Sequence, residues 1–303
     1  MSKKKQAFTA KKQKKKTLLV GFIGQGFVGK AYADQFEKRG FKTVRYALEK
    51  PYRRNKEKIK DCDIVFIAVP TPTTEKGFDD RLIRQAVKLV GIGKVAIIKS
   101  TILPGTTAAI QKENPNIFVF HSPEFLTEVT ACHDAAHPNR NILGIPSLSK
   151  AAKAKAREVL AILPKAPFEL VTGAEQAELI KYGGNCWFYF KVIFINMLYD
   201  TAKRKNIDWP TVRTALAADP RIGATHLEPV HKSGRGAGGH CFIKDFAAFS
   251  DLYRQTVDDA PGLKVLEGLR DKNIDLLLKS GKDLDLLAGV YGKRFLKKFK
   301  VKK

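Results

Sequence analysis

The sequence is poor in cysteine: four in 303 residues, Cys62, Cys132, Cys186 and Cys241, with no CxxC pair among them. That spacing offers neither a disulfide framework nor a thiolate zinc site, and it fits a reducing cytoplasm. Long apolar runs are also lacking. No stretch of about 18 uninterrupted apolar residues occurs, so no membrane-spanning helix is expected. The lysine-rich start has no apolar segment and no small-residue cleavage site, so it does not read as a secretory signal. There is no internal repeat, and no low-complexity segment apart from the two ends.

What the ends lack is acid. Residues 1–16 hold eight lysines and residues 293–303 hold seven basic residues, with no Asp or Glu in either. These account for 15 of the net +25 and leave about +10 on the body. Runs of like charge read as solvated tails, so nucleic acid is not the expected partner. The residual positive charge would draw an anionic substrate into a cleft. Hydrophobic residues make up 44%, enough to bury a real core.

Short apolar runs recur through the first half: Thr17–Ile23, Phe41–Leu48, Asp63–Val69, Val95–Lys99, Ile117–His121 and Phe168–Thr172. Helical patterns at 28–39 and 80–91 lie between them. Alternating strands and helices predict a doubly wound parallel sheet buried on both faces. From Ala174 the texture changes. Residues 174–206 read as one long proline-free helix, followed by helices at 209–218 and 244–256. The expected organisation is a basic tail (1–16), a Rossmann-type dinucleotide-binding domain (17–173), a helical domain with a long central helix (174–288) and a second basic tail (289–303).

Gly24-Gln25-Gly26-Phe27-Val28-Gly29 fits G-x-G-x-x-G between a predicted strand and a predicted helix. Glycines at Gly24, Gly26 and Gly29 allow a tight turn and let a pyrophosphate approach the helix N-terminus, which Phe27 and Val28 begin. Glu49, about 20 residues beyond Gly29, would bind a ribose hydroxyl and select NAD. Arg45 and Lys50 would instead suit the 2′-phosphate of NADP, so NAD is favoured over NADP without being fixed.

Seven segments point to one chemistry: GQGFVG at 24–29, VPTPT at 69–73, KSTILPGTT at 99–107, SPEFLTE at 122–128, AELIKYGGN at 177–185, DPRIG at 219–223 and GGHCFIKD at 238–245. Lys181 and Asn185, four apart on the long helix, share a face. Cys241 and Asp245 do the same if a helix starts there, and Gly238 and Gly239 allow a ligand close to the backbone. In type and order the segments resemble the UDP-glucose/GDP-mannose dehydrogenase family over roughly residues 17–275.

That resemblance implies a four-electron oxidation of a nucleotide-sugar C6 alcohol to a carboxylate with two NAD, a role in polysaccharide biosynthesis, and a homodimer built on the long helix. It makes Cys241 the nucleophile that carries a thiohemiacetal and then a thioester. It makes Lys181 and Asn185 oxyanion donors, and Asp245 the holder of a proton-moving water. Glu124 and Thr101 would handle the hydrolytic water, Glu128 would lie near substrate and cofactor, and Thr71 beside the nicotinamide. Arg221 would reach the substrate of a neighbouring subunit.

The sequence departs from the family pattern in places. Ile243 stands where a proline is usual and Ser122 where an asparagine is. The family's third domain, which closes over the nucleotide, has no counterpart in these 303 residues. The loop between Arg221 and Cys241 is longer than usual, and its His226, His231, Lys232 and Arg235 are expected to replace some diphosphate contacts. Two other readings remain: a two-electron β-hydroxyacid-type dehydrogenase, which needs no thiol, and a truncated, non-catalytic or partner-dependent paralogue.

Overall fold

A computed structural model describes residues 18–299. The first half runs β1 (Leu19–Ile23), α1 (Phe27–Lys38), β2 (Lys42–Tyr46), a 3-10 stretch (Tyr52–Asp61), β3 (Ile64–Ile67), α2 (Arg81–Val87), β4 (Val95–Ile98), α3 (Thr106–Glu113), β5 (Phe118–His121), α4 (Ala131–Ala136), β6 (Arg140–Ile145), α5 (Lys150–Ile162) and β7 (Phe168–Gly173). The sheet order is β2-β1-β3-β4-β5-β6-β7. Strand order reverses at β1, which pairs in parallel with β2 on one side and β3 on the other, and the crevice at that switch point is where such sheets hold ligands.

The β-branched runs of β3 and β4 are buried at every position, as strands covered on both faces must be. One face packs Phe22, Phe36 and Phe66 at ring-centroid separations of 5.3–5.4 Å, under α1 and α5. The other packs Ile23, Ile67, Ile98 and Val119 beneath α2 and α3.

The doubly wound sheet expected from the sequence is present, with one antiparallel pairing within it. β6 pairs antiparallel with β5, and β7 then lies parallel to β6. A parallel return requires a crossover long enough to span the sheet. The segment between β5 and β6 carries a 3-10 turn and the six-residue α4, which packs on α1 instead of recrossing the sheet.

The second half is helical: α6 (Ala174–Arg204), α7 (Trp209–Ala218), α8 (Gly239–Thr256), α9 (Ala260–Ser280), α10 (Leu284–Tyr291) and α11 (Lys293–Leu296). α8 lies along α6, with Tyr189 and Phe246 stacked 3.9 Å apart. It begins five residues before the expected position 244, because Gly238–Gly239 is the entry to the helix and not a loop: Gly239 takes φ +77° at its first position. α2 ends at Val87, short of the expected residue 91.

The expected tail 289–303 is also corrected where it is described. Residues 293–299 form α11 and a 3-10 turn, and Val290 and Leu296 are buried beside Ile243, Ile274 and Leu277. Apolar residues interleaved with the lysines supply an anchoring face that a pure charge run lacks. The tail at 1–16 and residues 300–303 lie outside the described residues.

Candidate active site

The turn from β1 into α1 is built by steric exclusion. Gly24 has φ +89°, and a Cβ there would sit 2.2 Å from the Ala68 carbonyl oxygen. A Cβ on Gly29 would meet the Gly24 carbonyl oxygen at 2.0 Å, which fixes the close contact of helix with turn. Beside Gly26, by contrast, nothing lies within 4 Å of the same position. No side chain caps α1 and its first turn carries no acid, so its end N–H groups face that open space ready for an anion. The residues present therefore fit a dinucleotide pyrophosphate.

Thr71, after β3, donates its hydroxyl to the Thr101 carbonyl oxygen at 2.8 Å, and Ser100 Oγ reaches the Val69 carbonyl at 2.7 Å. These bonds lock together the loops at the carboxyl ends of β3 and β4. At the ribose end Glu49 is exposed in the turn after β2. Arg45 is ion-paired 2.7 Å from Asp34 and also to Glu37. Those acids occupy the guanidinium that would otherwise suit a 2′-phosphate.

Two pairs, one buried and one half-buried at Asn185, converge at the other end of the crevice. Glu124, in the loop after β5, is 7% exposed. One carboxylate oxygen accepts Lys181 Nζ at 2.8 Å and the other the Leu126 N–H at 2.8 Å. One helical turn along α6, Asn185 Nδ2 donates to Asp245 Oδ2 at 2.6 Å. Asp245, fully buried on α8, also binds Lys244. The sequence placed Lys181 and Asn185 on one face; in the structure each holds a carboxylate from a different element.

Cys241 lies in the first turn of α8, four residues before Asp245. Burial pushes its thiol up, and the charge of Asp245 adds to that; Lys244 and Lys181 pull it down, and Glu124 opposes them weakly. The thiol therefore sits within the electrostatic reach of all four groups. It rests protonated, and added positive charge nearby would make it a thiolate.

The structure does not bring every expected residue into this cluster. Glu128 is exposed at the start of a 3-10 turn. Arg221 is 88% exposed and ion-paired with Asp219 at 2.6 Å, in a turn held from below by Lys191 Nζ, which binds the Ile222 and Gly223 carbonyls. Gly238 lines the entry to α8, where the Asp283 carboxylate accepts the Gly239 N–H at 2.7 Å. Of the basic loop, Arg235 is committed elsewhere: it binds Asp200 at 2.7 Å and Asn196 at 2.7 Å, and stacks over Tyr199. It is not available as a diphosphate contact.

Three site residues escaped the sequence reading. Lys244 neighbours Asp245, and its adjacency was the only signal. Lys99, in KST, is buried and reaches Ser122 Oγ at 3.1 Å. Glu178, three residues before Lys181, is fully buried and accepts the N–H groups of Gly105 and Thr107 at 2.7 and 2.8 Å. It ties α6 to the loop that carries Thr101.

The sequence matches two models of one family: the NAD-binding domain of the UDP-glucose/GDP-mannose dehydrogenases over residues 47–163, and the central domain of the same family over 175–273. A UDP-glucose 6-dehydrogenase of Rickettsia prowazekii is 30% identical over 77% of this chain and 54% of its own. The UDP-glucose 6-dehydrogenase TuaD of Bacillus subtilis is 34% identical over 64% of this chain and 43% of its own. The chain spans about half the length of the curated relatives it matches. Among solved structures, a UDP-glucose dehydrogenase of Pyrobaculum islandicum is 25% identical at a TM-score of 0.72, covering 88% of this chain and 72% of that one. The motifs expected from the sequence, the sheet with its uncapped helix end and these matches agree: the chain belongs to the UDP-glucose/GDP-mannose dehydrogenase family.

Proposed function

We propose that this protein oxidises the C6 alcohol of a nucleotide sugar to the uronic acid through a covalent intermediate on Cys241. The observation that carries the reading is the set Lys181–Glu124, Asn185–Asp245 and Cys241, drawn from two helices and the loop after β5.

NAD, when bound, accepts the hydride in each of two oxidations. Loss of the alcohol proton and a hydride gives the aldehyde, and Lys181 and Asn185 offer N–H groups to the oxygen that carries the developing charge. The Cys241 thiol adds to the aldehyde carbon, its proton passing by way of Asp245, and gives a thiohemiacetal. Loss of a second hydride and the hydroxyl proton leaves a thioester. Water, deprotonated by Glu124, attacks the thioester carbon; the C–S bond breaks, and the carboxylate and the Cys241 thiol are released.

An exposed apolar stripe on α6 supports a homodimer. Leu179, Trp187, Phe190, Phe194 and Met197 recur at helical spacing on one side of it and are each 38–56% exposed. A second copy packed there would cover the stripe, and the exposed Arg221 is then placed to reach across. No helix among the described residues is long and apolar enough to span a membrane, and we place the protein in the cytoplasm. The test of the reaction is NADH production against a panel of UDP- and GDP-sugars. Two NADH per uronate formed supports the reading. One NADH per product, with an aldehyde or ketone accumulating, favours a two-electron dehydrogenase, and no NADH with any of them overturns the enzymatic reading.

A further inference from the structure

The proposed mechanism uses one buried lysine, Lys181, yet the site contains two. Lys99, at the end of β4, is 3% exposed. Its Nζ lies 3.1 Å from Ser122 Oγ and 4.3 Å from the centre of the Tyr32 ring, so its polar contacts are a hydroxyl and an aromatic face. Among the described residues it is paired with no carboxylate. Glu124 attracts it from a distance, but Glu124 is already bonded to Lys181. One acid therefore faces two amines in a water-poor setting, where an unpaired charge is costly.

The groups around Lys99 leave the charge decision to it. Tyr32 on α1 is held in its neutral phenol form by burial. His121 on β5 is held neutral by burial, helped by the charges of Lys99 and Lys181. Lys181 on α6 repels a second cation, and Glu124, in the loop after β5, favours one.

We infer that Lys99 is a positioning residue for Glu124: it fixes Ser122, two residues before the carboxylate, and by gaining or losing a proton it switches the charge beside the Glu124–Lys181 pair. Burial lowers the ammonium of Lys99 to about 7, so the switch falls at neutrality. A cation beside a carboxylate makes it a poorer proton acceptor. Neutral Lys99 thus leaves Glu124 the better base for the thioester step, and charged Lys99 suppresses it. The kinetic consequence rests on the function proposed above; the charge switch itself does not.

The test has two arms. In the protein labelled with 13C-carboxyl glutamate, the Glu124 resonance, identified by its loss in Glu124→Gln, is followed from pH 5.5 to 9. An inflection near neutrality is expected, absent in both Lys99→Met and Lys99→Arg. In turnover, kcat of the unmodified enzyme should rise roughly 3- to 10-fold between pH 6 and 8. Lys99→Met and Lys99→Arg should both lose that rise and give flat profiles over the same range, whatever their absolute rates. An inflection that persists in Lys99→Met overturns the inference, as does its absence in the unmodified protein, a measurement that needs no variant. If no sugar nucleotide is oxidised while the Lys99-dependent inflection is present, the proposed function falls and the charge switch stands.

Discussion

Lys181 Nζ lies 2.8 Å from Glu124 Oε1, an ion pair that joins the long helix of the second domain to the loop after β5 of the first. Both side chains are less than a tenth exposed. The pair therefore serves two ends at once: it positions the Glu124 carboxylate and holds the two halves of the crevice in register.

Breaking that pair should be expensive. Lys181→Met leaves the Glu124 carboxylate buried without its partner, a change that costs about 3–5 kcal/mol in comparable settings. Turnover should fall by about 100- to 1,000-fold, the range seen when an oxyanion donor is removed. Thermal denaturation and steady-state kinetics on the same preparation check both; a variant with full activity and unchanged melting would remove Lys181 from the site.

Glu178 offers a purely structural counterpart. It accepts two N–H groups and the Thr107 hydroxyl at the start of α3. Glu178→Ala leaves those donors buried and unmet, which should cost about 2–4 kcal/mol. Glu178→Gln, which keeps an acceptor oxygen, should lose less. Denaturant titration of the two variants distinguishes a clamp from an idle buried carboxyl, for which both losses would be small.

The stripe on α6 predicts the oligomeric state. Phe190→Glu puts a charge in the middle of an apolar face whose large side chains are each worth about 1.5–3 kcal/mol when covered. Sedimentation should show two-chain particles for the unmodified protein and single chains for the variant. Single chains in both would leave the stripe without the partner proposed for it.

Acid stability should depend on His121. Burial, aided by the charges of Lys99 and Lys181, lowers its ring to about 3, against an ordinary 6.5. Between those values the unfolded chain binds the extra proton, so stability falls as pH drops from 6.5 toward 3. Lys99, lowered to about 7 from 10.5, acts in the same direction in its own window, with stability rising from pH 7 toward 10.5. His121→Phe should flatten the acid limb of a melting-temperature profile and leave the alkaline limb in place.

Much of this was legible in the sequence because it was written in local patterns. The β-branched runs announced the central strands, and the 3.6-residue period announced α6, on which Lys181 and Asn185 fall one turn apart. The glycine turn was readable for the same reason. What was not legible depended on packing between distant segments. β6 escaped because Arg140, Asn141 and Gly144 break up its apolar run, and its reversed direction escaped because nothing local fixes orientation. The start of α8 was misplaced because Gly238–Gly239 reads as a break when tertiary contacts make it a helix entry. Arg235 looked free because its acceptor Asp200 lies 35 positions away, on α6. Lys99 is hidden from the sequence because a lysine just past a strand gives no sign of its burial until Tyr32, from α1, and Ser122 close over it.

The central claim concerns Cys241, and the most direct measurement is peptide mass mapping of enzyme quenched in acid during turnover with a sugar nucleotide and NAD. The account predicts an acyl group on the Cys241 peptide, labile to hydroxylamine, and more of it in Glu124→Gln, where hydrolysis is slowed. Two NADH per uronate with no adduct on Cys241 in either protein, or an adduct on another cysteine, would contradict it.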